Sequence, residues 1–176
     1  PGGDRERALK AANAAVSVFE DEAAQKAAAL VLRAQLREET EASLEDYNQA
    51  IQLDPSNADA WQGRALTFMG EGDFEKAIAD FNSLIEKDEN NVNAHLAMGE
   101  ALTNMEKFDE ALKHVEKAIK LKPDSSLAYT LRARLHLIKE DVKAALADLD
   151  KALSVQPHDI SALLIRARVH LSEENL

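Results

Sequence analysis

The 176-residue chain contains no cysteine, which excludes disulfides and thiolate metal sites and leaves the redox compartment unmarked. Its four prolines and six glycines are too few for a loop-rich or disordered polymer. No apolar run approaches the roughly 20 residues that a membrane span needs. The chain opens Pro1-Gly2-Gly3, with neither an initiator methionine nor a signal peptide, and reads as a piece of a longer protein. Bases are in deficit, 21 against 32 acids for a net charge of −11. Without a basic stripe to neutralise phosphate, nucleic acid and anionic membrane are poor partners. There is no glycine-rich phosphate loop, no nucleophile motif and no carboxylate pair set apart from the many surface acids. Neither catalysis nor a cofactor is expected.

What is present is ordinary for a globular chain: 45% hydrophobic and 30% charged residues. The length suffices for a core that buries roughly 70% of the unfolded surface. The acids are uneven, with 19 against 9 bases in residues 1–91 and 13 against 12 in residues 92–176. A solubilising surface accounts for this, the alternative being a preference of the N-terminal half for a basic partner.

Residues 58–159 organise the rest, because one unit is written three times at a spacing of 34. Ala58–Asn91, Val92–Ser125 and Ser126–Asp159 align column by column. Two columns are small: Ala65, Gly99, Ala133, then Ala77, Ala111, Ala145. Two are large and apolar: Phe74, Phe108, Val142, then Phe81, Val115, Leu149. Pro123 and Pro157 form a stop column in which Glu89 replaces proline. Small residues suit a close helix crossing, large ones fill the space beside it, and proline blocks continuation of the second helix. The spacing predicts helices over 58–71, 74–88, 92–105, 108–121, 126–139 and 142–155, joined by short loops.

These columns resemble the tetratricopeptide repeat, a helix–turn–helix unit. The residues that carry the likeness are Trp61, Arg64, Ala65, Phe68, Ala77, Phe81 and Leu84 in one unit. His95, Met98, Gly99, Leu102, Ala111, Val115, Ala118 and Pro123 follow in the next, and Tyr129, Arg132, Ala133, His136, Ala145, Leu149, Ala152 and Pro157 in the third. The resemblance spans about residues 24–172 and implies an all-α, right-handed solenoid forming a single domain over 1–176. The expected parts are a capping helix or half repeat over 4–20, a shortened repeat over 24–57, regular repeats over 58–91, 92–125 and 126–159, and the first helix of a further repeat over 160–176.

Asp4 is the expected N-cap of the first helix, whose Leu9, Ala12, Val16 and Phe19 share a face. The shortened repeat has lost three residues between Arg37 and Ala42, where the other units turn. It reads Glu38-Glu39-Thr40-Glu41, without glycine or aromatic. A distorted or poorly ordered turn and a shortened helix are expected there. The last helix, over 160–172, has no second helix to pack on, leaving Leu164, Ile165 and Leu171 exposed on one side or another.

The resemblance further implies a concave groove, lined by the first helix of each unit, that holds a peptide or helix of another protein. Leu32, Leu66, Leu96, Leu131 and Leu164 would give it an apolar stripe, unless they pack between units. Gln35, Leu66, Glu100, Arg134 and Arg168 form a second column. There Arg134 and Arg168 could grip carboxylates of an apolar, acidic ligand, or Arg134 could pair with Glu100. The partner-binding candidates are Gln62, Leu66, Leu96, Glu100, Leu131, Arg134, Leu164 and Arg168. Family members that clamp the C-terminal carboxylate of heat-shock chaperones need a lysine and asparagines in the groove. Gln62, Leu66, Ala97, Leu127 and Leu131 do not supply them. Alternative roles are a homo-oligomer formed through helix 160–172, or a docking arm of a larger enzyme.

The histidines suggest no metal site. His136 and His170 share a column, but neighbouring helix axes lie about 8–10 Å apart, too far for a shared ion. His95, in the column of Trp61, is read as structural, and His114 and His158 as surface or loop residues.

Overall fold

The apolar columns become helices where the spacing puts them. A computed structural model describes residues 2–174, the side chains of residues 3–172. The chain falls into two compact units, Pro1–Lys87 and Asp88–Leu176. The first holds α1 (Gly2–Val18), α2 (Ala23–Leu36), α3 (Thr40–Leu53), α4 (Ala58–Glu71) and α5 (Phe74–Lys87). The second holds α6 (Val92–Asn104), α7 (Phe108–Leu121), α8 (Ser126–Ile138), α9 (Val142–Val155) and α10 (Ile160–Glu174). The described residues contain no strand, and α2–α3, α4–α5, α6–α7 and α8–α9 are closely packed hairpins. Each unit is therefore a stack of helix–turn–helix repeats.

Polar punctuation repeats as faithfully as the apolar columns. Asn57, Asn91, Ser125 and Asp159 each accept from the backbone N–H three residues on, at 3.1, 2.9, 3.3 and 3.1 Å, capping α4, α6, α8 and α10. At the turn inside each regular hairpin one residue is left-handed: Gly72 at φ 80°, Glu106 at φ 59° and Glu140 at φ 61°. The residues after them donate back to Phe68, Leu102 and His136 carbonyls at 2.9 Å, closing a Schellman-type stop.

The three missing residues of the shortened repeat remove that stop. α2 ends two residues after Ala34, whereas α6 and α8 run five past Gly99 and Ala133. The turn is not disordered; it is a short extended link, with Arg37 at φ −78°, ψ 150° and Glu39 at φ −83°, ψ 115°. Side chains replace the lost backbone bonds: the Ser43 hydroxyl donates to Ala34 O at 2.9 Å and Arg5 Nε to Leu36 O at 2.8 Å. Asp4 lies inside the first turn of α1 rather than capping it, since that helix begins at Gly2. There its charge still suits the helix N-terminus.

The small columns are buried at the helix crossings. A Cβ on Gly99 would lie 2.6 Å from Val115 Cγ2, and one on Gly63 would lie 2.4 Å from the Tyr47 ring. Beside the crossings sits a set of ion pairs that the apolar pattern does not announce. Arg33 forks onto buried Asp46 at 2.8 and 2.6 Å, Arg64 onto Asp80 at 2.8 and 2.7 Å, and Arg132 onto Asp148 at 2.7 Å twice. Each ties the first helix of a hairpin to the second. The bond to Asp148 raises the proton affinity of Arg132, which burial partly offsets.

In the hairpin α6–α7 the clamp is replaced. Met98 stands in the arginine column and His114 in the aspartate column. His114 Nδ1 instead lies 3.0 Å from Nδ1 of His95, whose Nε2 lies 3.1 Å from Glu89 O. Trp61 and Tyr129, in the column of His95, bond the matching carbonyls of Pro55 and Pro123 at 3.0 and 3.2 Å. A carbonyl only accepts, so His95 donates through Nε2, and in its neutral form its Nδ1 receives the His114 proton. His95 is structural, as expected. His114 is half-buried and paired, not the surface residue the sequence suggested.

The clamps, and the imidazole pair that replaces one of them, should each leave a mark on unfolding. Asp148→Ala strands the half-buried Arg132 and should cost about 2–4 kcal/mol in urea unfolding. Arg132→Lys should recover only part of the wild-type stability, because a lysine cannot fork. His114 is held below the ordinary histidine range, first by burial and then by His95, with Glu110 opposing. The unfolded chain therefore binds this proton more readily. Stability is full above about pH 6.5 and falls as pH drops from there towards the lower folded value. Met98→Arg with His114→Asp should abolish that loss between pH 7.5 and 5.5, and an identical pH profile in the double variant would refute the assignment.

Candidate partner-binding surface

The first helix of each hairpin carries the residues singled out for binding, and burial sorts them. In the first unit, Gln62 is half-buried on α4, while Leu66 is 50% exposed and Leu32 on α2 is 49% exposed. In the second unit, Leu164 on α10 is 55% exposed, and Glu100, Arg134 and Arg168 are exposed on α6, α8 and α10. Leu96 and Leu131 are core residues. Leu96 packs with Ala118 and Ala128, and Leu131 lies against the Gly99 crossing. Burial takes both off the open face on which the sequence reading placed them.

Arg134 and Arg168 come together. They flank a groove of about 440 Å³ between α8 and α10, lined also by Leu137, Ile138, Ile165, Val169 and Ser172. Among the described residues neither guanidinium has an ion pair or hydrogen bond, and Glu100 does not pair with Arg134. Leu137, Val169 and Ser172, which helical spacing did not single out, line the same groove. His136 lies 3.6 Å from Asp148 beside the Arg132 clamp, and His158 is exposed. Among the described residues no cluster of three His, Asp or Glu side chains could hold a metal. No described helix is long and apolar enough to cross a membrane.

Family models for the tetratricopeptide repeat match residues 36–72, 68–135 and 127–159. The chain belongs to the tetratricopeptide-repeat family. Among solved structures, a tetratricopeptide repeat protein from Parabacteroides merdae superposes with a TM-score of 0.82 at 19% identity, covering 97% of this chain and 67% of that one. The protein MamA gives 0.77 at 19% identity, covering 89% and 91%. A MamA fragment from Desulfovibrio magneticus RS-1 gives 0.72 at 13% identity, covering 89% and 93%. At these identities the likeness is one of fold. No curated protein matches the sequence. Tetratricopeptide repeats are interaction modules, and in this one the exposed Arg134 and Arg168 stand on α8 and α10.

One buried atom on a first helix is out of place in the core. The Thr130 hydroxyl on α8 has no hydrogen-bond partner among the described residues. Removing an unsatisfied buried hydroxyl without changing shape relieves its desolvation cost. Thr130→Val should raise stability by about 1 kcal/mol in urea unfolding, and a destabilised variant would show that the hydroxyl is satisfied in solution.

Proposed function

We propose that this chain is a non-catalytic protein-interaction module whose second unit holds a partner segment in the α8–α10 groove. The segment carries a carboxylate next to an apolar side chain. The observation that carries this reading is the pair of exposed, unpaired guanidiniums beside the apolar walls of one groove. Arginine forks match carboxylates in geometry as well as charge, and the branched and aliphatic walls accept an apolar neighbour. Leu164, exposed on the same helix as Arg168, would widen the apolar contact. Glu100 sits on α6 with its carboxylate exposed and would disfavour a ligand that is acidic along its whole length. In the first unit Gln62 and Leu66 are the remaining candidates, while Leu96 and Leu131 would act only by shaping the core beneath.

The test uses a fluorescent peptide panel in which glutamate or glutamine is placed beside leucine, read by anisotropy. Arg134→Ala with Arg168→Ala should weaken the glutamate peptides by about tenfold or more, at roughly 1.5–3 kcal/mol for hydrogen bonds to charged groups. Helicity should be unchanged, since both side chains are exposed. Equal binding of glutamate and glutamine peptides, or no loss in the double variant, would remove the arginines from the site.

A further inference from the structure

At the crossing of α6 and α7 the repeat loses its fixed cation. In the flanking hairpins Arg64 and Arg132 hold a guanidinium against an aspartate, but here α6 offers the uncharged Met98 and α7 offers His114. Two nitrogens are brought together instead. Nδ1 of His95 and Nδ1 of His114 lie 3.0 Å apart, with the rings tilted by 38°. Sequence columns do not announce this pair, because its two members stand in different columns.

The surroundings hold the pair as metal ligands are held. His95 is buried and donates Nε2–H to Glu89 O at 3.1 Å, which fixes its tautomer and leaves a lone pair on Nδ1. A carbonyl on the far nitrogen is the usual support of a ligating histidine. That carbonyl is a repeat position, since Trp61 and Tyr129 bond its counterparts at Pro55 and Pro123, so the His95 ring has a built seat. His114 is half-buried, which gives its ring room to turn and an ion a way in. Glu110, one turn earlier on α7, places a negative charge near His114 that favours a cation there.

The separation selects the ion. With metal–nitrogen bonds of about 2.0–2.1 Å, two nitrogens at the tetrahedral angle lie about 3.3–3.4 Å apart, and at a right angle about 2.8–3.0 Å. The observed 3.0 Å matches the right angle, which is the geometry of tetragonal Cu(II). Among the described residues no third His, Asp or Glu completes a group around the pair, so water fills the other positions.

We propose that His95 and His114 form a binding site for a divalent transition ion, Cu(II) by preference, held through both Nδ1 atoms. The ion replaces the proton that the two rings share. His114 releases that proton from Nδ1 to solvent and takes one up at Nε2, so both rings stay neutral. Bound there, the ion ties α6 to α7 as the arginine forks tie the flanking hairpins. The site is independent of the groove, whose arginines stand on α8 and α10.

The experiment is a Cu(II) titration of the 176-residue chain at about pH 7.5, above the ordinary histidine range, read by electron paramagnetic resonance and calorimetry. The first equivalent should give a spectrum split by two nitrogens. Met98→Arg with His114→Asp rebuilds the clamp of the neighbouring repeats and removes one ligand. His95→Tyr, which takes the residue of the next repeat, removes the other ligand and can keep the bond to Glu89 O. Each should lose the two-nitrogen spectrum and bind Cu(II) about tenfold more weakly or worse. His158→Ala, at an exposed histidine, should change neither spectrum nor affinity. Two-nitrogen binding that survives in either pair variant, a first equivalent coupled to fewer than two nitrogens, or loss of the spectrum in His158→Ala would overturn the proposal. Glutamate-peptide binding, unchanged in the pair variants, separates this outcome from that of the groove.

Discussion

Close approach of two helices within a hairpin is the constraint on which the remaining structure depends. Gly99 over Val115 leaves no room for even a methyl group, and Ala65, Ala77, Ala133 and Ala145 are buried to the last trace of surface. That approach brings the Arg33, Arg64 and Arg132 forks within reach of carboxylates on the facing helix. A buried aspartate is costly alone and tolerable only when both oxygens are bonded. The clamps therefore report the crossing geometry as much as they reinforce it. Where the middle repeat gives up the clamp, two imidazoles take over and pass the constraint to Glu89 O.

Much of this fold was legible. Helices Ala58–Glu71, Phe108–Leu121 and Val142–Val155 fall on the residues that the 34-residue period predicts. The reason is that period, cap and stop recur together: Asn57, Asn91, Ser125 and Asp159 begin what Gly72, Glu106 and Glu140 interrupt. The shortened repeat was legible as a deletion but not in its remedy. Nothing in the sequence says that Arg5, from another helix, would bond the loose carbonyl of Leu36. Such a contact is tertiary, and helical spacing carries no information about it.

The candidate surface was read less well, and burial explains why. Helical period assigns a face, but not which part of that face the neighbouring helix covers. Leu32 stays open while Leu131 in its column is sealed, and Leu164 stays open while Leu96 in its column is sealed. The His95–His114 pair escaped for a different reason. Its meaning appears only when His114 is seen to occupy an aspartate's column and Met98 an arginine's, a substitution of chemistry rather than of pattern.

The clamps also bear on how the chain comes to be folded. Arg64 meets Asp80 and Arg132 meets Asp148 across 16 residues, and Arg33 meets Asp46 across 13. Little loop entropy has to be surrendered before such neighbours reward it, and proteins dominated by local pairings cross their barriers quickly. Pairing within each hairpin is thus local in the chain, and stability accumulates as neighbouring hairpins stack on one another.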